Sequence, residues 1–243
     1  MVTGVRRTVK FRTISMALTL TIGACAAFSL AGQKKAAPGP AAIAQDKGKF
    51  SINLDGRTVG HEDFEIVPSG GGWLAKGTAE IKPPHGAASK VTGSLTLQPD
   101  GAPISYEWTS QAEKTNGARV VFANGEAKLT LQMQGAKPYD QIFSFGKPLI
   151  AVLDNNLYHQ YAVLARIYDW AKGGEQSFPV LIPQELTPGT INVVSTGSAT
   201  ADGKTYEGLK VTTADLQILL LLDSNHRLIR LEVPDAKVSV TRE

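Results

Sequence analysis

Residues 50–67 read FSINLDGRTVGHEDFEIV and carry the clearest secondary-structure pattern of the chain. Phe50, Ile52 and Leu54 alternate with polar residues, so their side chains share one face of a β-strand. The pair Asp55-Gly56 follows, and the alternation resumes over residues 59–67. Because Asp-Gly is a preferred pair for a tight turn between antiparallel strands, this segment predicts a β-hairpin.

Similar pairs of turn residues recur along the chain. They are Asp100-Gly101, Asn116-Gly117, Asn124-Gly125 and Asp202-Gly203. Strand-like runs lie between and beyond them, at residues 73–81, 90–97, 104–111, 118–122, 127–133, 141–145, 190–196, 205–213, 216–222, 228–233 and 237–241. Many short strands joined by tight turns indicate an antiparallel meander, and their irregular spacing argues against a propeller repeat.

One segment departs from this alternation. Asp154 or Asn155 can cap a helix that runs from about Asn156 to Ala171 and stops at Gly173-Gly174. Apolar residues lie nearly all around this helix, which is typical of a buried helix. We therefore predict a mainly β fold, a strongly curved antiparallel meander (an open barrel or roll), with one long helix packed in its concavity. Residues 178–183 then return to a sheet edge, where proline is tolerated.

Two short motifs of the predicted sheet resemble known families. Residues 49–60, KFSINLDGRTVG, resemble the opening of several periplasmic families of unknown function, with a strand, a turn glycine and a Val-Gly step. Residues 219–223 followed by 227–231 are similar to the last hairpin of these families. The layout also resembles the curved sheet and helix of lipoprotein-carrier and glycolipid-binding proteins. The resemblance implies this fold, and it supplies no catalytic residue.

The first 32 residues have the layout of a signal peptide or a membrane anchor. Four basic residues precede an apolar run over residues 14–32, and no acidic residue occurs before Asp46. Cys25 is the single cysteine, in a context that loosely resembles a lipobox, so a lipid anchor is an alternative to cleavage. We expect an exported protein of the periplasm or cell envelope, with the membrane close to its N-terminal segment.

The segment over residues 33–47 is rich in Ala, Pro and Gly and predicts a flexible tether. We assign residues 48–243 to a single β-rich domain, long enough for one good core.

The charge of the chain is distributed unevenly. The net charge is +3, but six of the 25 Lys and Arg residues precede residue 45. Residues 45–243 hold 19 Lys and Arg against 22 Asp and Glu, so their net charge is near −3. Without a basic patch with interleaved aromatics, nucleic acid is not expected as a partner. With no cysteine after position 25, we predict neither disulfides nor a thiolate metal site in this domain. We also expect no cofactor.

Familiar catalytic motifs are absent from the sequence. It contains no Gly-rich phosphate loop, no Gly-x-Ser-x-Gly and no His-Glu-x-x-His. In His61-Glu62-Asp63, the first and third side chains share one strand face and Glu62 points away. We interpret this triplet as part of a solvated strand face rather than a metal site.

His159, Arg166 and Trp170 form the best candidate site. On the predicted helix they share one face. An imidazole, a guanidinium and an indole on one face can bind a carboxylate or phosphate head group. The alternative is structural: Arg166 pairs with an acid from a strand, and Trp170 fills the core.

Three functions follow as hypotheses. The first is non-enzymatic binding of an apolar or amphiphilic, lipid-like ligand in a groove between sheet and helix, suggested by the apolar helix and by strand aromatics such as Trp73 and Trp108. The second is a cell-envelope accessory protein that acts through contacts with other proteins. The third is a hydrolase or isomerase that uses a lone histidine such as His159, although no nucleophile or orienting acid stands at a fixed spacing from it.

Overall fold

The computed structural model describes residues 43–84, 86–112, 114–201 and 203–243. The predicted signal peptide or anchor with Cys25, and most of the predicted tether, lie outside the described residues. The first strand begins at Asp46, two residues before the predicted start of the domain, and Ile43 is already fully buried. The packed core therefore includes the last residues of the segment assigned to the tether.

The described part of the chain forms one sheet of fifteen strands and one α-helix. The strands are β1 (Asp46–Leu54), β2 (Arg57–Ser69), β3 (Gly72–Ile81), β4 (Ser89–Leu97), β5 (Pro103–Gln111), β6 (Thr115–Ala123), β7 (Glu126–Met133), β8 (Tyr139–Ser144), β9 (Ala151–Val152), β10 (Glu175–Ile182), β11 (Thr187–Ala201), β12 (Lys204–Thr212), β13 (Gln217–Leu222), β14 (Leu228–Val233) and β15 (Val238–Arg242). The helix, α1, spans His159–Ile167, and short 3-10 turns lie at Pro183–Glu185 and Pro234–Ala236.

Strand order follows the chain with one exception. From one edge the order runs from β8 to β1, and it continues from β15 to β9 at the other edge. β1 and β15 are antiparallel neighbours, with Phe50 opposite Arg242 and Leu54 opposite Val238. The sheet does not close, because β8 and β9 have no pairing partner on their outer sides in the described part of the chain. The predicted open antiparallel meander is therefore confirmed.

The core lies on the concave side of the sheet, where the helix is packed. Alternate strand residues point into it, such as Phe50 and Ile52 of β1, and all four residues from Ala162 to Ala165 of α1 are buried. The helix contacts both β3 and β14, and β6 lies against the turn Pro183–Glu185. Because these elements belong to opposite halves of the strand order, the sheet curves strongly around the helix.

Most of the predicted turns are confirmed, with one error. Both residues of Asp55-Gly56 and of Asn124-Gly125 have positive φ in tight turns. The predicted turn at Asn116-Gly117 is wrong, since both residues lie inside β6. A side chain at Gly117 would approach the carbonyl oxygen of Trp108 to 2.7 Å. Glycine at this position thus permits close contact with the neighbouring strand β5.

The helix is shorter than the predicted range of residues 156–171. It has nine residues, because Asn156 adopts a left-handed backbone with φ 65° and the helix begins only at His159. Beyond Ile167, the Asp169 carboxylate accepts hydrogen bonds from the N–H groups of Ala171 and Lys172. A local turn of this kind competes with helix geometry. The helix lies inside the roll as predicted, but its predicted length is wrong.

Candidate functional site

His159 forms a buried pair with Glu62, at the start of the helix. Its Nδ1 lies 2.5 Å from Glu62 Oε1, and both side chains are fully buried. The other carboxylate oxygen accepts the N–H groups of Tyr158, at 2.8 Å, and of His159, at 3.1 Å. Glu62 of β2 therefore caps the positive end of the helix dipole, in place of the predicted caps Asp154 and Asn155.

The surroundings of this pair are shaped by a glycine and a phenylalanine. A Cβ atom at Gly77 would lie 2.3 Å from both Glu62 Oε1 and His159 Nδ1, so only glycine leaves room for the pair. The ring of Phe64 lies nearly parallel to the imidazole, with centroids 6.4 Å apart. The second imidazole nitrogen, Nε2, is buried without a hydrogen-bond partner in the described residues. No substrate can reach His159 in this conformation, so its role here is structural.

A second buried network lies beside the helix start. The Asp154 carboxylate accepts hydrogen bonds from the Tyr106 hydroxyl, at 2.7 Å, and from the Gln184 backbone N–H, at 2.8 Å. The side-chain oxygen of Gln160 accepts the backbone N–H of Asp154. Burial raises the pKa of Asp154 to about 6, and the bonds from Gln184 and Tyr106 oppose that rise. Burial and the nearby Asp154 raise the pKa of Tyr106. The network ties β5 to the turn after β10.

Arg166 lies near the other end of the helix, in a cluster of three arginines and two acids. Arg242 binds Asp46 through two guanidinium nitrogens, at 2.6 and 3.1 Å. Arg227 binds Asp223 at 2.7 Å. Arg166 is half-buried, and its side chain forms no hydrogen bond or ion pair with the residues that the structure describes. Burial lowers its pKa, while Asp46 and Asp223 lie close enough to raise it.

Trp170 lies beyond the end of the helix and serves packing. Its indole N–H donates to the Ala165 carbonyl at 2.9 Å. Its ring stacks on His226 at a centroid distance of 4.0 Å and meets the edge of Tyr168. His226 in turn places Nε2 2.8 Å from a Glu207 oxygen. These contacts fit the structural alternative for Trp170.

The three predicted site residues thus divide into two places. His159 is enclosed with Glu62, whereas Arg166 and Trp170 lie near the turn between β13 and β14. About 10.5 Å of helix separates His159 from Arg166 at 1.5 Å per residue. Among the described residues, His159 Nε2 also lacks a partner but is fully buried, whereas the Arg166 guanidinium lacks a partner and is only half-buried. Arg166 is therefore the candidate for binding a ligand.

The interior space beside the helix is too small for a ligand. The space between α1, β4 and β9 has a volume of about 10 Å³. Small-molecule sites usually need about 300–1,000 Å³. An open groove of about 510 Å³ lies outside the core at the ends of β2 to β5, next to the ion pair between Lys90 and Glu80 at 3.0 Å. None of the three predicted site residues lines this groove.

The described residues lack both a metal-binding cluster and a membrane-spanning helix. They contain no cluster of three or more His, Cys, Asp or Glu side chains suited to a metal ion. The helix they contain falls short of the length and hydropathy that crossing a bilayer requires.

Sequence reasoning missed Glu62 and Asp154 as buried acids. Alternation correctly placed Glu62 opposite His61 and Asp63, whose side chains lie 3.7 Å apart on the outer face. The same alternation places Glu62 on the apolar face of β2, together with Phe64 and Ile66. An acid on an apolar strand face was the available signal, because a buried carboxylate needs partners.

No family model matches the chain, and no curated protein matches it. Among solved structures, it is similar to a β-barrel-like protein of the domain of unknown function DUF1849 from Brucella abortus, with a TM-score of 0.52 and 10% identity over 82% of this chain and 94% of that chain. It is also similar to a DUF1089-family protein from Pseudomonas aeruginosa, with a TM-score of 0.48 and 11% identity over 72% and 90%. The first likeness shows a shared β-barrel-like fold. The periplasmic and lipid-binding parts of the sequence resemblance stay predictions.

Proposed function

We propose that the protein is a non-enzymatic binding protein of the cell envelope that takes the anionic head group of an amphiphile at Arg166. The observation that carries this proposal is the half-buried guanidinium without a carboxylate partner, beside two arginines that each have one. Arg227 and Arg242 are neutralised by Asp223 and Asp46. The cluster therefore has one unmatched positive charge, on Arg166.

The chemistry of a guanidinium narrows the ligand class. Its planar N–H groups match the paired oxygens of a carboxylate or a phosphate, and such charge-assisted bonds are stronger than neutral ones. Partial burial lowers the local dielectric constant, which strengthens attraction to an anion. A small carboxylate and a lipid phosphate share this chemistry, and the amphiphile is favoured by the predicted export and membrane proximity of the chain.

The small interior volume restricts how an amphiphile can bind. Hydrocarbon chains do not fit in the space of about 10 Å³ between helix and sheet. The head group would therefore bind at the rim near the helix end, while the apolar part stays in a lipid surface. This differs from the enclosed groove that the sequence suggested.

The test is flotation with lipid vesicles. We expect the protein to float with vesicles of phosphatidylcholine and phosphatidylglycerol and not with phosphatidylcholine alone. Arg166→Gln should weaken this binding roughly tenfold or more, because a hydrogen bond to a charged group is lost. Arg57→Gln is the matched control, since it removes the same charge from an exposed position at the start of β2.

Equal binding by the wild type and Arg166→Gln would contradict the proposal. Native mass spectrometry of protein purified from its own envelope adds an independent readout. A bound amphiphile that leaves on denaturation, and is lost in Arg166→Gln, would support the site. If a small carboxylate or phosphate were released instead, Arg166 would still be the binding site, but the ligand would not be an amphiphile.

A second candidate function is a cell-envelope accessory role through protein contacts. The observation in its favour is the edge strand β8, on which Ile142 and Tyr139 are 61% and 49% exposed. Apolar side chains beside unpaired backbone groups are typical of surfaces that bind another strand. The hydrolase hypothesis has no such support, because His159 is fully buried.

A further inference from the structure

The outer edge of β8 carries backbone groups without partners in the described part of the chain. The Phe145 N–H donates to the Gly125 carbonyl at 2.8 Å, so odd-numbered residues of this strand point their backbone groups toward β7. Backbone direction alternates along a strand, and Asp140, Ile142 and Ser144 therefore point their N–H and C=O groups outward. These outward groups are a template for a further strand.

The side chains of β8 add apolar surface on both faces of this edge. Ile142 lies on the outer face and is the most exposed large apolar side chain of the described residues, at 61%. It shares a row with Lys128 and Val121. Tyr139 points to the opposite face, like its ladder neighbour Leu131. An added strand would cover both Ile142 and Tyr139.

We propose that two copies of this chain pair through β8, antiparallel, about a two-fold axis at Ile142. In this register Ile142 faces Ile142 of the second copy, and Asp140 faces Ser144. Each facing pair exchanges two N–H···O=C bonds, so every outward group of the three residues is used. Such an interface is self-complementary, as a closed two-fold dimer requires.

Charge and side-chain matching favour a second copy in this register. Within residues 139–145 of the two copies, no like charges face each other, because Asp140 lies opposite Ser144. On the other face, the exposed Tyr139 lies opposite Phe145 of the second copy, an aromatic cross-strand pair. A register shifted by two residues in either direction leaves one outward residue with an incomplete pair. In one shifted register Ser144 faces Pro138, which has no N–H. In the other, Asp140 faces Gly146, which lies outside β8 and has a left-handed backbone with φ 66°.

The first test measures self-association of the purified protein by sedimentation velocity over micromolar concentrations. We expect a monomer–dimer equilibrium in the wild type. Ile142→Pro removes an N–H that points away from β7, so the hydrogen bonds between β7 and β8 remain. Dimerisation should weaken by a factor of roughly 10 to 100. Ile142→Lys should act likewise by placing two cations at the axis. Val121→Lys is the control, on the same face but two strands from the edge.

The second test reads the register by disulfide formation in a Cys25→Ser background. Facing residues in this pair type have Cα atoms about 5.5 Å apart, within disulfide range. Ile142→Cys should therefore form a covalent dimer under mild oxidation. Ser144→Cys should not, since its counterpart is displaced by about 13 Å along the strand. A monomer at all concentrations, an unchanged dimer in Ile142→Pro, equal cross-linking at both positions, or capture of a different protein at residue 142 would each overturn the proposal.

Discussion

Asp154 shows how a single buried acid can shape the pH response of this protein. It is buried and has neutral partners, the Tyr106 hydroxyl and the Gln184 N–H. No cation among the described residues pairs with it, so burial dominates and raises its pKa to about 6. The folded protein therefore binds this proton more tightly than the unfolded chain does.

The sign of the resulting pH dependence follows by linkage. A carboxyl group whose pKa is raised on folding stabilises the fold fully below its unfolded pKa, near 4, and this contribution is lost as pH rises through about 6. Asp154→Asn is uncharged at every pH, and its amide can still accept from Gln184 and donate to Tyr106. Between pH 4 and pH 7, we expect the free energy of unfolding of the variant to rise relative to that of the wild type by about 2 kcal/mol.

Urea unfolding of both proteins at a series of pH values measures this difference. Taking the difference removes the contribution of all other titrating groups. A constant difference across this range would show that Asp154 does not titrate there.

At the scale of residues, sequence reasoning identified chemical types better than partners. The sequence singles out His159 as a candidate site residue on the predicted helix. Its partner Glu62 lies 97 positions away on another strand. Alternation gave the inward direction of Glu62, but the meeting of the two side chains depends on the helix lying across β2 and β3. Long-range contacts of this kind are decided by packing rather than by local pattern.

At the scale of elements, two glycines let the helix approach the sheet. Gly77 of β3 lies opposite Phe64 of β2 on one side and opposite Gly93 of β4 on the other. A Cβ atom at Gly93 would lie 2.6 Å from the Leu157 side chain, just before the helix. The helix start therefore rests on backbone, and the buried Glu62–His159 pair occupies the space that a side chain at Gly77 would fill.

Gly77→Ala should displace this pair, because the new methyl group would lie 2.3 Å from Glu62 Oε1. Overpacking of a core costs about 1–3 kcal/mol, and a disturbed buried pair adds to that cost. Gly189→Ala is a matched control in β11, where the new Cβ would meet Val180 at an ordinary 3.5 Å. We expect the control to be neutral or slightly stabilising in urea unfolding, since alanine suits a strand better than glycine. Equal losses in both variants would contradict a special role for Gly77.

Strand positions were predictable because alternation and turn pairs are local. The predicted turn at Asn116-Gly117 is wrong because this pair suits a tight turn as well as a strand in close contact with its neighbour. Only the position of Trp108 on β5, which the local sequence does not reveal, distinguishes the two. The helix ends were missed for a similar reason. The left-handed backbone at Asn156 and the turn at Asp169 replace helical turns that the apolar pattern alone would allow.

At the scale of the whole molecule, the sheet consists of two meanders joined at one ladder. β1 to β8 come from the first part of the domain and β9 to β15 from the second. In the described residues, the pairing of β1 with β15 is the one ladder that connects them within the sheet. The Arg242–Asp46 pair lies at the end of this ladder, with side chains only 13% and 5% exposed. Gly48 leaves space for the guanidinium, which also donates to the Lys47 carbonyl.

The cooperativity of the two halves should therefore depend on this pair. Arg242→Ala leaves Asp46 buried without its partner, which costs about 3–5 kcal/mol. Because that cost falls on the ladder between the halves, we expect them to unfold separately in the variant. Hydrogen exchange under increasing urea, followed by mass spectrometry, would then give different midpoints for β4–β6 and β11–β13, whereas the wild type should give one. Arg119→Ala, which breaks the exposed pair with Glu107, should change stability by less than about 1 kcal/mol and keep one midpoint. A single shared midpoint in Arg242→Ala would contradict this prediction. It would mean that the contacts of α1 with both halves of the sheet are sufficient to couple their unfolding.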